Sequence, residues 1–250
     1  MKKVLTVLCL SLLAAMGLAD HHGPSIGGIE TYACNYNEGS GLDDVLSAAK
    51  KWNKFASKNF SMPYQGYVLT PYYRNAQDQQ HDFYWVGVSP SFEAQGTTQD
   101  EMLAKGARFQ AAFDEVSNCD GQAQWAMMPV KASEGGPSAE GAVSFEACTM
   151  LEGATLAKMM AADVKMNAFM SKEGVTGNMS RWFPLSGQSS SFTADFYQVT
   201  GNNSLTERGK NFDRAVKSGG LQLRNALYGE LVECRGNGTS LYVSVGGKQG

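Results

Sequence analysis

One short motif occurs twice in this sequence, and it constrains the fold more than any other feature. Residues 33–39 read Ala-Cys-Asn-Tyr-Asn-Glu-Gly, and residues 147–153 read Ala-Cys-Thr-Met-Leu-Glu-Gly, 114 positions later. The segment Asp82–Val86 (DFYWV) recurs as Asp195–Val199 (DFYQV) with an offset of 113. An offset that drifts by one residue is typical of two copies of one module with small insertions in loops. We therefore predict an internal duplication, each copy having about a hundred residues, an ordinary domain size.

Hydrophobic periodicity predicts the same order of elements in both copies. Alternating apolar residues indicate strands, and apolar residues three and four apart indicate amphipathic helices. In the first copy this predicts strands over 29–36, 65–73, 82–90 and 122–130, with helices over 41–59 and 97–118. In the second copy it predicts strands over 142–150, 181–185, 193–200 and 240–245, with helices over 155–171 and 205–232 and a break at 217–222. The order β-α-β-β-α-β is that of the ferredoxin-like motif.

The first residues are typical of a secretory signal peptide. Lys2 and Lys3 precede an apolar run over residues 4–15, and Gly17-Leu18-Ala19 supplies the small residues that a signal peptidase requires. An uncleaved membrane anchor is the alternative, but small residues end the apolar run and no basic stop follows. We expect cleavage after Ala19, a periplasmic or secreted mature protein of bacterial type, and no stable membrane anchor.

These segments predict the domain organisation of the chain. A signal peptide covers residues 1–19, and a flexible N-terminus covers 20–28. The first ferredoxin-like module covers 29–131, a small, polar linker with Pro and Gly covers 132–141, and the second module covers 142–250.

Four cysteines remain after the signal peptide: Cys34, Cys119, Cys148 and Cys234. An even number of cysteines in an exported chain indicates disulfides, but four cysteines allow three pairings, and spacing alone does not choose between them. In a ferredoxin-like sheet the first and last strands are neighbours. The element order therefore predicts Cys34–Cys119 and Cys148–Cys234, which close loops of 85 and 86 positions.

The tandem arrangement resembles the dimeric α+β barrel superfamily, which includes the antibiotic-biosynthesis-monooxygenase-like and EthD-like proteins. The resemblance implies an α+β fold in which two tandem ferredoxin-like (βαββαβ) modules form a pseudo-dimeric α+β barrel. The superfamily includes cofactor-free oxygenases, isomerases, haem enzymes and proteins with no known activity, so the resemblance implies a relative of one of these kinds. The haem branch uses a histidine from the later domain. Because no histidine follows His81, we expect no cofactor.

Composition and motifs exclude several classes of function. The formal net charge is -3, only 18% of residues are charged, and Lys and Arg do not cluster, which argues against nucleic acid as a partner. The sequence contains no Gly-x-Ser-x-Gly motif, no phosphate-binding glycine loop and no cluster with the spacing of a zinc site.

Aromatic residues on the predicted strands suggest a ligand pocket, although packing in the core explains most of them as well. The first copy is the richer candidate, because Trp52 corresponds to Met166 and Trp85 to Gln198. A solvated loop is the ordinary position for His81, which could act as a base at a barrel mouth. The candidate pocket residues are Trp85, His81, Tyr67, Asn53 and Trp182.

Cleavage after Ala19 would leave a mature chain that begins Asp20-His21-His22. A free amine with histidine in the third position can ligate Cu(II) in a square plane of nitrogen atoms, although an ordinary polar terminus has the same composition. Three hypotheses therefore follow from the sequence. The protein binds a small apolar molecule or is an accessory or structural protein of the envelope; it is a cofactor-independent oxygenase-like enzyme; or it is a copper-binding envelope protein.

Overall fold

The computed structural model describes residues 25–75, 80–133 and 138–249. We call residues 25–133 the first half and residues 138–249 the second half. The predicted signal peptide, residues 20–24 of the predicted N-terminal segment and residues 134–137 of the predicted linker lie outside the described residues.

The described chain forms strands and helices in the same order in both halves. The first half contains β1 (Gly27–Tyr36), α1 (Leu42–Asn59), β2 (Tyr64–Tyr73), β3 (Phe83–Ser89), α2 (Phe92–Lys105), α3 (Ala107–Asp114) and β4 (Ser117–Lys131). The second half contains β5 (Glu140–Met150), α4 (Leu156–Lys172), β6 (Asn178–Ser186), β7 (Phe196–Asn202), α5 (Leu205–Lys217), α6 (Gly220–Tyr228) and β8 (Val232–Lys248).

All eight strands join one closed barrel in the order β1-β3-β2-β8-β5-β7-β6-β4. Every neighbouring pair is antiparallel. Each half contributes four adjacent strands, and the halves meet at two seams, β2 with β8 and β4 with β6. The predicted α+β class and the predicted barrel are therefore confirmed.

Equivalent residues of the two halves pair in the same strand register. Glu30 lies opposite Gly87 where β1 pairs with β3. Ser144 lies opposite Thr200 where β5 pairs with β7. These two pairs correspond through the sequence offsets of 114 and 113. A position in one half can therefore be compared with the matching position in the other.

Both predicted disulfides are confirmed. Cys34 of β1 lies opposite Cys119 of β4, and their sulfur atoms are 2.04 Å apart. Cys148 of β5 lies opposite Cys234 of β8, with sulfur atoms 2.08 Å apart. Each disulfide joins the first and last strands of its own half, so neither crosses a seam between the halves.

The single helix predicted near the end of each half is two helices. In the second half the predicted break is confirmed, since α5 ends at Lys217, Gly219 has a φ of +80° and α6 begins at Gly220. In the first half the break at Gly106 was not predicted. The Gly106 amide donates to the Met102 carbonyl oxygen at 2.6 Å. A Cβ at Gly106 would lie 2.5 Å from that oxygen, so a side chain would not fit this tight turn.

Two kinds of core result from strand alternation, in which successive side chains point to opposite faces of the sheet. Inside the barrel, large side chains from around the strands fill the space: Ile29, Leu69, Val86, Trp125, Trp182, Val199 and Tyr242. Outside it, the helices of each half cover its sheet and bury a separate cluster. None of the helices in the described part of the chain is long and apolar enough to cross a membrane.

Candidate functional site

A cavity of about 170 Å³ lies between the sheet of the second half and the helices that cover it, and Lys131 of β4, from the first half, also lines it. We call it the second-half cavity. Its floor consists of polar side chains on β5 and β7, among them Ser144, Gln198 and Thr200. Arg208 and Phe212 of α5 form the opposite wall. Because successive strand residues alternate between faces, these floor residues share the face that points away from the barrel interior.

The matching position in the first half is filled. Tyr64 and Trp85 are both buried there, and the Trp85 indole Nε1 donates to the Tyr64 hydroxyl at 2.9 Å. The Tyr64 hydroxyl donates to Glu30 Oε1 at 2.5 Å and lies directly over Gly87. Gln99 Nε2 donates to the other oxygen of Glu30 at 2.5 Å, which completes a buried network.

The substitutions between the halves explain why only one of these positions is open. Strand register places Gly177 where the first half has Tyr64, because Gln65 pairs with Val88 and Asn178 pairs with the equivalent residue Gly201. The same register places Gln198 in the position of Trp85. At these two positions the second half has neither a phenol nor an indole ring, and Gly177 and Gln198 both line the cavity.

A hydrogen-bonded side wall holds the cavity open. Asn211 of α5 is 8% exposed, and its amide nitrogen donates to the Thr176 carbonyl oxygen at 3.0 Å and to Asn202 Oδ1 at 2.9 Å. Its amide oxygen accepts from the Thr176 backbone N–H at 3.1 Å. Buried amides that are fully hydrogen-bonded are costly to displace. This wall therefore fixes the segment before β6 against α5.

Beside the floor, on the same face of the sheet, lies a buried ion pair. Arg181 of β6 is 2% exposed and donates to both oxygens of Asp163 at 2.7 and 2.6 Å. The Tyr228 hydroxyl donates to the same carboxylate at 2.7 Å. Burial, followed by this contact with Asp163, raises the pKa of Tyr228. Arg181 lies opposite Gln198, so the ion pair supports the strand that carries the floor.

A second cavity, of about 380 Å³, lies in the first half beside Cys119. Tyr32 and Gln122 line it together with the exposed residues Asn118 and Asp120. This groove is larger but has an exposed rim. The smaller cavity combines a buried polar wall with charged groups and is the better candidate for a site.

The structure places the five predicted pocket residues in four separate places. Trp85 is buried under the helices of the first half, whereas Tyr67 and Trp182 pack inside the barrel. Asn53 of α1 lies against Gly246 of β8. His81 is half-buried just before β3, with Nε2 2.7 Å from Asp120 Oδ1. None of the five lines either cavity.

The predicted copper ligands Asp20, His21 and His22 lie outside the described residues, and the described residues contain no cluster of metal ligands. Sequence reasoning did not identify Gly177, Arg208 or Asn211. One signal for the site was present in the sequence, since Gln198 stands in the repeat where the first copy has Trp85. Loss of a large aromatic residue from one copy of a duplicated core predicts a void in that copy.

Comparison with solved structures identifies the fold. A candidate monooxygenase from Lactobacillus acidophilus superposes with a TM-score of 0.54 at 11% identity, covering 91% of this chain and 97% of that one. An anthrone oxidase-like protein gives 0.50 at 14% identity, covering 91% and 96%. A haem-binding protein from Thermus thermophilus gives 0.50 at 7% identity, covering 88% and 95%.

These neighbours are dimeric α+β barrel proteins, as the sequence predicted, and at such low identity they show the fold alone. No protein-family model and no curated protein matches the sequence.

Haem, which one neighbour binds, would need an axial ligand and sufficient space in the second-half cavity. Haem iron is held by histidine, cysteine thiolate or tyrosine, or by methionine together with histidine. No histidine, cysteine or tyrosine lines this cavity. Its volume of about 170 Å³ is also below the roughly 300–1,000 Å³ of sites for drug-sized ligands. The residues present do not fit haem.

Proposed function

We propose that this is an exported binding protein for a small molecule, which it holds in the second-half cavity. The observation that carries the proposal is the difference between two equivalent positions in a duplicated fold. Tyr64 and Trp85 fill the position in the first half, whereas Gly177 and Gln198 leave it open in the second. A concave site that combines apolar side chains with a few fixed polar groups is typical of a ligand site.

The lining suggests what kind of molecule would fit. Met170, Val175 and Phe212 supply apolar surface, and Ser144 and Thr200 supply polar groups. The ligand would therefore have a short apolar part and a polar group directed at the floor. The cavity of about 170 Å³ limits it to a small molecule.

We also propose that the two halves arose by duplication and that the chain is exported. The strand orders β4-β1-β3-β2 and β8-β5-β7-β6 support two ferredoxin-like modules that arose by duplication. Two disulfides support export, since such bonds persist mainly in oxidising compartments. N-terminal sequencing of the protein from its own host tests cleavage after Ala19.

Filling the cavity tests the proposed site. Gln198→Trp restores the residue that occupies this position in the first half, and Gln198→Asn is the matched control that keeps the cavity open. We expect native mass spectrometry of protein purified from its host to show a bound small molecule in the wild type and in Gln198→Asn. The molecule should be absent from Gln198→Trp. A folded Gln198→Trp that retains the molecule would overturn the proposed site.

A cofactor-independent oxygenase is the second candidate function. The superpositions on a candidate monooxygenase and an anthrone oxidase-like protein favour it. Glu146, which lines the cavity, is the group there that could accept a proton. The test is oxygen consumption with anthrone as substrate. Activity that is lost in Glu146→Gln would support catalysis, and no consumption above the uncatalysed rate would argue against it.

Copper binding by Asp20-His21-His22 stays a prediction from the sequence. Visible absorbance that depends on Cu(II) should appear in the mature protein and disappear when its first three residues are removed. Absorbance that survives the truncation would exclude this terminus as the site.

A further inference from the structure

One positively charged side chain that lines the second-half cavity has no counter-ion from the protein. Arg208, Lys131 and Glu146 are the charged residues that line it. Glu146 is already paired, because its Oε2 accepts from Arg224 Nη2 at 3.0 Å. Arg208 forms no ion pair with any residue in the described part of the chain. The charge that remains at the cavity is therefore positive.

The guanidinium of Arg208 is fixed along one edge and open along the other. Its Nε donates to Ser144 Oγ at 3.2 Å, and the Ser144 hydroxyl also lies 2.9 Å from the buried hydroxyl of Thr239. The guanidinium carbon lies 5.9 Å from the centre of the Tyr73 ring. No acceptor within the described ranges bonds to its two terminal nitrogens, although the residue is only partly exposed.

Other donors face the same space. Lys131 Nζ donates one hydrogen bond, to the Gly177 carbonyl oxygen at 2.9 Å, so two of its three N–H groups remain. The side chains of Asn178 and Thr200 also line the cavity, and neither bonds to another residue that the structure describes. Two cationic and two neutral polar groups therefore converge on a space without an unpaired acid.

The first half supplies an internal control for this arrangement. Gln95 occupies the position equivalent to Arg208, at the same distance from its helix cap, since Ser91 caps α2 and Ser204 caps α5. Gln95 is fully buried, and its amide oxygen accepts from Gln124 at 2.7 Å. At these two equivalent positions, a positive charge therefore occurs only in the second half.

We propose that the ligand is a small organic carboxylate, bound by the two terminal nitrogens of Arg208 with Lys131 beside them. A guanidinium presents two parallel N–H groups that match the two oxygens of a carboxylate. The apolar side chains of Met170 and Phe212 favour an organic tail over inorganic phosphate, which offers the same oxyanion chemistry without one. This inference rests on the proposed function of the cavity.

Calorimetric titration of the mature protein with butyrate, butyramide and inorganic phosphate, in a buffer free of other oxyanions, tests the proposal. We expect butyrate to bind at least about tenfold more tightly than butyramide, because a hydrogen bond to a charged group is stronger than a neutral one. Arg208→Gln, which installs the first-half residue, should remove this preference. Arg208→Lys, which keeps the positive charge but lacks the two parallel N–H groups, should retain part of the preference for butyrate.

Lys210→Gln is the matched control, because it removes one positive charge from an exposed position on the same helix and should leave the preference unchanged. A different result would be that butyrate and butyramide bind equally tightly and that both lose binding in Gln198→Trp. That result would overturn the proposal that the ligand is a carboxylate and would leave the proposed site intact. Binding of phosphate alone, or of none of the three probes, would also overturn it. Failure of the proposed site itself would appear separately, as a native ligand retained by Gln198→Trp.

Discussion

Glu30 and Asp163 are buried carboxylates for which the two halves provide different partners. Glu30, 6% exposed, accepts from the Tyr64 hydroxyl and from the Gln99 amide, both at 2.5 Å. Asp163, 7% exposed, accepts both arms of the Arg181 guanidinium. An ionised group in the interior is tolerated only when it is paired or hydrogen-bonded, so each partner set is a condition for stability.

Asp163→Asn should destabilise the protein strongly, because it leaves the Arg181 charge buried without a counter-ion. Breaking a buried pair in this way costs about 3–5 kcal/mol of unfolding free energy. Urea denaturation of the purified variant measures it. Lys217→Gln is the control, since its partner Asp213 and Lys217 itself are 70% and 78% exposed, and such a pair contributes less than about 0.5 kcal/mol. Equal losses in both variants would contradict this account.

Burial of tyrosines predicts that stability declines in alkaline solution. Burial, followed by the negative charge of Glu30, raises the pKa of Tyr64 well above its ordinary value of 10.0. The folded state therefore keeps a proton that the unfolded state releases above this pH, so stability is complete below pH 10 and falls as pH rises further.

Tyr64→Phe should make this decline shallower by about 1.4 kcal/mol per pH unit, the effect of one proton. Urea denaturation at several pH values above 10 measures the slope of unfolding free energy against pH. The slope separates titration from packing, because a change in packing lowers stability equally at every pH. A variant whose slope matches that of the wild type would show that Tyr64 is not among the titrating groups.

At the scale of elements, the sequence predicted what local pattern and repetition determine. Apolar periodicity located the helices and strands, and the element order led to the correct cysteine pairs because β1 and β4 must be neighbours. The glycine pair at Gly219-Gly220 predicted the break between α5 and α6. These features depend on the chain near each residue and on a topology with few alternatives.

The break at Gly106 and the Gly177 side of the cavity could not be predicted in this way, although Gln198 in the place of Trp85 was a signal for the other side. A single glycine within a helical pattern is ordinarily tolerated, and only the close approach of the Met102 carbonyl oxygen shows why the helix stops there. The cavity depends on a side chain that is absent. Gly177 becomes the counterpart of Tyr64 only when β2 and β6 are aligned by strand pairing, and nothing in the surrounding sequence marks that correspondence.

The two disulfides should contribute similar stability, because they close loops of nearly equal length, 85 and 86 residues. Replacing both cysteines of either pair by serine should lower the unfolding free energy by about 4.6 kcal/mol on the chain-entropy account. Chemical denaturation of the two double variants, compared with the wild type, measures this. A large difference between them would show that local packing, not loop closure, determines the contribution.

At the scale of the whole molecule, the two halves depend on each other for closure. Leu69 pairs with Tyr242 across the seam between β2 and β8, and Met127 pairs with Trp182 across the seam between β4 and β6. Separated halves would expose two unpaired strand edges each, and such edges associate readily.

A fragment of residues 25–133 should therefore self-associate when produced alone. Mixed with a fragment of residues 138–249, it should form a one-to-one complex that restores the barrel. Size-exclusion chromatography with light scattering distinguishes these states. A stable, folded monomer of either fragment would show that barrel closure is unnecessary for the fold.

The positions of the two disulfides make some strand pairs of the barrel harder to separate than others. Each sulfur bridge lies inside one half, so the two seams are held by hydrogen bonds and side-chain packing alone. Under load or at high temperature, the seams should separate before the strand pairs β1–β4 and β5–β8, which the disulfides hold together. A reducing agent should remove that difference.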